Sequence, residues 1–264
     1  MDRERPRVLL SFDVEEFDIP AEFGRMIGDD DQVAVGAKGL ERVLMVLERT
    51  GVVATLFCTV RFAQACPELI RNAVQRHELG SHGWQHDRLN VEDLMRSREA
   101  LEHQFGVPVL GFRPARFQPV PAKAVRSAGY QYHSSENPIW LPGRYNHWNK
   151  PRTVYRQDGL VQIPISASPV LRFPLFWLAA KNYPEGIFRA LTQWTLRRDG
   201  YVNLFFHPWE LCEVGDWGLP FLVRARDGMK MSQWLERQIR WLQECAEFET
   251  LGAFAARYRE GDQE

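Results

Sequence analysis

The chain has 264 residues, 45% hydrophobic and 25% charged, which is enough for one sizeable core and suits a single α/β barrel. Lys+Arg of 33 against Asp+Glu of 34 leaves a net charge of −1, which removes any global electrostatic case for a nucleic-acid partner. No apolar run is long enough to span a bilayer or to act as a secretory h-region, and the four cysteines form no Cys-x-x-Cys, so the expectation is no transmembrane segment and free thiols in a cytoplasmic protein.

Short β-branched or aromatic runs alternate with segments of helical period, the signature of strand-helix units around a parallel sheet or barrel. Val8-Leu9-Leu10-Ser11-Phe12 reads as the first strand, and Leu40, Val43, Leu44 and Leu47 recur at helical spacing until Gly51 stops them. The run from Val52 to Phe57 is the next strand. A helix over Pro67 to Arg76 leads to Glu78-Leu79-Gly80-Ser81. A second helix from Val91 to Phe105, N-capped by Asn90, leads to Val109-Leu110-Gly111-Phe112. Pro121 and Gly129 bracket another helix, followed by a short strand over Tyr130 to His133. Residues 136–183, rich in Pro, Trp, Arg and Asn, predict loops with some β-structure. Ile187 to Arg198 reads as helix, Tyr201 to Phe206 as a strongly apolar strand, and Trp234, Ile239 and Leu242 mark the last long helix. With no internal repeat, residues 1–264 are expected to form one domain.

In barrels of alternating strands and helices the chemistry sits on residues that end or follow strands, and Asp13, His82, Arg113 and His207 fit that placement. Strand alternation puts Asp13 and Glu15 on one side and Phe12 and Val14 on the other. Two such acids divide labour: one ligates a cation while the other acts as general base. Taken alone, Asp13, Glu15, Glu16 and Asp18 are equally consistent with a solvated acidic turn. In Ser81-His82-Gly83-Trp84-Gln85-His86, the spacing of His82 and His86 puts both imidazoles on one helical face, or a turn after the strand aims them at one ion. Two histidines and a carboxylate from another strand make three protein ligands with an open position, the ligand count of catalytic zinc. His207 is a candidate general acid. Arg113 can hold Asp13 by a bidentate pair, and is equally readable as an ordinary loop arginine. No Gly-x-Ser-x-Gly elbow and no Gly-x-x-x-x-Gly-Lys-Ser/Thr loop is present, so nucleophile-elbow and phosphate-loop chemistries drop out.

Taken together, Ser11-Phe12-Asp13-Val14-Glu15, Ala54-Thr55-Leu56-Phe57, Glu78 to His86, Gly111-Phe112-Arg113-Pro114 and Leu204-Phe205-Phe206-His207 resemble the polysaccharide deacetylase (NodB homology) family, in the right order and over nearly the whole chain. The resemblance implies an α/β fold, a distorted (β/α) barrel with fewer than eight regular strand-helix units. It also implies metal-assisted removal of an acyl group from an amino sugar. By motif match Asp13 is the base, His82 and His86 are metal ligands, Arg113 orients the base, and His207 is the acid. Three departures stand out. Val14 occupies the second place of a motif that usually has two adjacent acids, so the carboxylate ligand is Glu15, as in branches with acid-x-acid spacing. Arg113-Pro114-Ala115-Arg116-Phe117 replaces the common Arg-x-Pro-Tyr that brings an oxyanion donor near Ala115. His133 stands where relatives have an Asp.

The expected cofactor is a divalent ion, zinc by its ligand chemistry, and the expected partner is a carbohydrate. A cytoplasmic enzyme would meet a precursor or short glycan, including a lipid-linked or phosphorylated one. Trp84, Phe117 and Trp209 are the candidates for substrate contact, and Trp140, Trp148 and Trp177 also lie in or beside loops where an aromatic face suits a sugar ring, although with nine tryptophans in the chain most are expected in the core, Trp209 being equally readable as core. Arg144, Lys150, Arg152 and Arg156 are candidates to meet a phosphate. Two other classes stay open: an amidohydrolase on a non-sugar or cyclic amide, and a catalytically silent carbohydrate-binding protein.

Overall fold

The computed structural model describes residues 5–141 and 145–260; Arg144 lies outside them. Its strands are β1 (Arg7–Val14), β2 (Thr55–Cys58), β3 (Glu78–Ser81), β4 (Gly111–Phe112), β5 (Tyr132–His133), β6 (Trp140–Leu141), β7 (Tyr145–Asn146), β8 (Tyr155–Gln157), β9 (Leu160–Gln162), β10 (Tyr201–Phe206) and β11 (Glu247–Glu249). Alternation along β1 sorts inside from outside. Val8, Leu10, Phe12 and Val14 pack into the core beneath the helices, while Leu9 faces the barrel interior with Ser11 and Asp13.

The main sheet runs β10-β1-β2-β3-β4-β5-β9-β8, with β11 on β1. All its pairs are parallel except the β8–β9 hairpin, and β6–β7 is a separate antiparallel pair. β10 takes one edge of β1 from Arg7 to Phe12. On the other edge β11 pairs with Arg7 to Leu9, and β2 with Ser11 to Val14. The curled sheet meets itself again just past β9. There the Ser166 N–H donates to the Asn203 carbonyl at 3.0 Å, and the Asn203 side-chain amide donates to the Pro164 carbonyl at 3.1 Å. This is the distorted barrel that the family resemblance implied.

The two ends of the barrel differ in chemistry. At the N-terminal ends of the strands, Leu251, Phe254 and Ala255 of the closing helix Leu251–Glu260 pack against Leu9, Phe57, Tyr132 and Val161. Glu78 ties that helix down, its carboxylate accepting from the Gly252 N–H (2.9 Å), the Thr55 hydroxyl (2.7 Å) and the Tyr132 hydroxyl (3.0 Å). The other end carries the polar residues described below. Against its outer wall lies the 22-residue helix Asp29–Thr50, which ends on Gly51 at φ 70°. Side chains are missing from this helix where it comes closest to the barrel. A Cβ at Gly36 would sit 2.7 Å from the Glu15 carbonyl oxygen, and one at Gly39 2.3 Å from that of Pro208.

Several boundaries differ from expectation. Val52 to Ala54, Val109 and Leu110 stay outside the ladder, because sheet pairing is set by neighbours rather than by local propensity. The helix expected over Pro67 to Arg76 ends at Ala73. It is preceded by an unforeseen helix, Val60–Ala65, in which the Thr59 hydroxyl accepts from the Phe62 N–H. The helix expected from Val91 starts at Asp93, and the Asn90 amide donates to the Asp93 carboxylate instead of capping a backbone N–H. Among the described residues no helix is long and apolar enough to cross a membrane.

Candidate metal centre

The side chains singled out from sequence meet at the C-terminal ends of the parallel strands. Asp13 is the penultimate residue of β1, Glu15 and His82 just follow β1 and β3, Arg113 follows β4, and His207 follows β10. Backbone bonds carry the ladder upward to them: the His82 N–H donates to the Cys58 carbonyl (2.9 Å), and the Arg113 N–H to that of Ser81 (3.0 Å). His82 and His86 are not on a helix. Gly83, at φ 91°, turns the chain after β3, and the loop is held by the N–H groups of Val60 and Arg61, which donate to the Gly83 and Trp84 carbonyls. The two rings end up stacked, with centroids 5.9 Å apart.

One oxygen of Glu15 lies 3.0 Å from His82 Nε2 and 3.1 Å from His86 Nε2. Each imidazole has an acceptor behind it: His82 Nδ1 is 2.9 Å from the Arg113 carbonyl, and His86 Nδ1 is 2.6 Å from the Asp18 carboxylate. Donation from both Nδ1 atoms leaves both Nε2 lone pairs pointing at a carboxylate oxygen. Both Glu15 oxygens are buried without a hydrogen-bond partner. With both imidazoles neutral these are three converging acceptors, an arrangement that a cation resolves, and Glu15, His82 and His86 have their ligand atoms within 4.8 Å of one another. The residues present therefore fit a divalent ion.

Electrostatics agree with the placement. Burial alone would raise the Glu15 carboxyl, but His86, His207 and His82 hold it below its ordinary value. Asp13 is likewise lowered against burial, chiefly by Arg113. Burial works to discharge His86, yet Glu15 and Asp18 push its pKa up to about 9. His207 is raised in the same way against burial, by Glu15, Glu210 and Asp13. Its Nδ1 is 3.0 Å from the Glu210 carboxylate, while its Nε2 faces inward, 3.8 Å from Glu15.

Arg113 is fully buried and reaches Asp13 through a single contact, Nη1 to Oδ1 at 2.6 Å. The bidentate pair does not form, because Nε and Nη2 are engaged by the carbonyl and hydroxyl of Ser134. Ser134 thus aims the guanidinium. Arg116 and Phe117 follow in a short turn with φ of 55° and 52°. The Arg116 guanidinium binds Asp18 at 2.8 Å and Glu22 at 3.1 Å.

Asp13, Glu15, His82, His86 and His207 line a cleft of about 250 Å³ whose other walls include Arg116, Phe117, Trp177 and Phe205. Of the aromatic candidates, Phe117 and Trp177 reach the cleft. Trp209 is fully buried beneath His207, its ring 5.2 Å from the imidazole, and Trp84 lies under the Arg96 guanidinium. Lys150 is paired with Glu136, and Arg152 with Asp199. Sequence reading passed over Asp18, Ser134 and Glu210 as partners of the site. For Glu210 a signal existed in its i, i+3 offset from His207; Asp18 and Ser134 are joined to their partners across 68 and 21 residues.

A polysaccharide deacetylase family profile matches residues 2–133. Among solved structures, the fold is shared with a Mycobacterium smegmatis protein assigned as a polysaccharide deacetylase, at a TM-score of 0.68 and 19% identity over 98% of this chain and 92% of that one. A Pseudomonas aeruginosa PAO1 protein of the same assignment gives a TM-score of 0.65 at 15% identity, over 97% and 91% of the two chains. Puue allantoinase gives 0.67 at 14% identity, over 98% and 91%. No curated protein matches the sequence.

Proposed function

The chain belongs to the polysaccharide deacetylase family, and from that premise we propose that it is a metal-dependent deacylase that removes an N-acyl group, N-acetyl or N-formyl, from an amino sugar. The observation that carries this reading is the Glu15 carboxylate, buried without a hydrogen-bond partner and facing two imidazole Nε2 atoms. Glu15, His82 and His86 would hold the ion, and zinc suits one carboxylate and two neutral imidazoles. When bound, such an ion polarises a carbonyl and brings the pKa of a coordinated water to about 7.

The chain's own residues do the rest. Asp13, held ionised by Arg113, takes a proton from the attacking water as its oxygen bonds to the acyl carbon. His207 carries a proton on Nε2, with Nδ1 anchored on Glu210, and delivers it to the amine nitrogen as the C–N bond breaks. Amide and water thus become carboxylic acid and amine. The turn at Ala115–Phe117 brings backbone beside the cleft, where an N–H would steady the carbonyl oxygen. Phe117 and Trp177 offer faces to a sugar ring. Lys150 and Arg152 already have carboxylate partners, so the reading does not extend to a phosphorylated or lipid-phosphate glycan. Four free thiols support a reducing, cytoplasmic setting. Residues 1–264 are read as one domain, because a single sheet takes strands from Arg7 to Glu249.

The test couples elemental analysis of the purified protein to release of acetate or formate from acylated amino sugars. One divalent ion per chain is expected. Asp13→Asn and His207→Ala should each lower turnover at least about 100-fold with the ion retained, while His82→Ala should lose the ion. Undiminished metal-dependent activity in the first two variants would refute the assigned roles.

A further inference from the structure

A second cavity, of about 400 Å³, lies beside the metal cleft and shares Glu22, His86 and Arg116 with it, within the size range of small-molecule sites. The acid-rich turn after β1 and the start of the helix Asp29–Thr50 line it through Glu16, Asp18 and Asp29. Arg61, of the helix Val60–Ala65, and Asp87, next to the second histidine, complete the charged walls.

The charges of this lining do not balance. Five carboxylates, of Glu16, Asp18, Glu22, Asp29 and Asp87, stand against the guanidiniums of Arg61 and Arg116. Arg116 serves Asp18 at 2.8 Å and Glu22 at 3.1 Å, and Arg61 serves Asp29 at 2.8 Å. Glu16 is only 2% exposed. One of its oxygens accepts from the Thr59 hydroxyl at 2.9 Å; the other, Oε1, is buried without a hydrogen-bond partner, and the Arg61 Nε stands 3.7 Å from it, beyond hydrogen-bond reach. A buried carboxylate oxygen in that position is costly until a donor arrives.

The surroundings also narrow the kind of donor. A calcium or magnesium ion needs oxygens converging at about 2.0–2.6 Å, and among the described residues the three acid, imidazole or thiol groups that come within 4.8 Å of one another are Glu15, His82 and His86, not the acids of this cavity. An anion would meet the excess of carboxylates. An ammonium group brings a positive charge and three N–H donors. Gln32 adds an acceptor, since its amide donates to the Ile27 carbonyl at 3.2 Å and its oxygen is left to accept.

We propose that this cavity binds a small aliphatic amine, whose ammonium group donates to Glu16 Oε1, at a site separate from the metal cleft. The proposal goes beyond the deacylase reading and does not draw on it, because none of the groups it uses takes part in the assigned proton transfers.

Calorimetric titration of the metal-loaded protein at fixed ionic strength tests it, with 1,4-diaminobutane as the amine and 1,4-butanediol as its uncharged counterpart. One equivalent of the diamine should bind per chain, and the diol should not bind. Glu16→Gln keeps the shape of the side chain and removes its charge, and should weaken the diamine about tenfold or more. Arg61→Gln removes the competing cation and should tighten it about threefold, a change of opposite sign that a loss of folding does not produce. His82→Ala, which lacks the ion, should bind the diamine as the parent protein does; binding lost there is ligation of the ion in the cleft and removes the site. Equal binding of the diol, or an affinity that neither Glu16→Gln nor Arg61→Gln moves, removes it as well. Magnesium bound more tightly than the diamine, and lost in Glu16→Gln, replaces the amine by an inorganic ion. Glucosamine bound more tightly than the diamine makes the cavity an arm of the sugar cleft. Either result overturns the proposal.

Discussion

Asp18 backs the candidate metal centre through the His86 ring without reaching the ion site itself. Its carboxylate lies 2.6 Å from His86 Nδ1 and is itself held by Arg116. It thereby fixes which nitrogen of His86 faces Glu15. Removing such an outer partner typically costs about 10–100-fold in metal affinity, so Asp18→Asn should weaken binding of a divalent ion by that factor in a chelator competition. The proton on His86 sets the pH dependence. With a pKa raised from 6.5 to about 9 in the metal-free protein, His86 must release a proton to bind. Apparent affinity should therefore rise about tenfold per pH unit up to pH 9 and level above it. In the metal-free protein the stability contributed by this raised pKa is fully present below 6.5 and lost as pH climbs through about 9. Asp18→Asn should move the levelling point to lower pH.

The helix Asp29–Thr50 backs two parts of the site at once, the chain at Glu15 through Gly36 and the chain at Pro208 through Gly39. Neither glycine is needed for backbone conformation, since both lie inside the helix; what they supply is room. A methyl at position 39 would meet the Pro208 carbonyl oxygen at 2.3 Å and the Trp209 nitrogen at 2.8 Å, backbone atoms that move only with the whole segment. Gly39→Ala should cost about 1–3 kcal/mol, read as a lowered melting temperature. It should also lower turnover while leaving metal content intact, because His207 belongs to the displaced segment and the three proposed ligands do not. Helical period announced the middle of this helix. Its first turns went unread because Gly36 and Gly39 replace apolar residues on the buried face.

At the scale of the molecule, closure of the barrel runs through one residue of β10, Asn203. Asn203, fully buried within β10, donates to the Pro164 carbonyl, and its backbone carbonyl accepts from the Ser166 N–H. The Asn203 N–H also donates to the Ser166 hydroxyl, and among the described residues no strand ladder joins β10 to the segment after β9. Asn203→Leu leaves a buried carbonyl without its donor and should destabilise the protein by about 1–3 kcal/mol, measured by urea unfolding. Hydrogen exchange at the Ser166 amide should speed up more than exchange along β1, which is paired on both edges. Unchanged exchange at Ser166 would mean that the seam is held by something else.

Alternation in β1, the helical periods and the residues that end strands are local properties. They were enough to place Asp13, Glu15, His82, His86, Arg113 and His207 at the strand ends that line or back one cleft, because a parallel barrel carries every such residue to the same rim. What lay beyond local reading was pairing at a distance. Nothing near Asp18, Ser134 or Asn203 in the chain announces a partner, since each is joined to its partner by the curl of the sheet rather than by spacing. The tryptophans divide for the same reason. Trp209 and Trp177 both stand in apolar-rich stretches, yet only Trp177 reaches the cleft, because the turn after β10 directs Trp209 under His207 into the core.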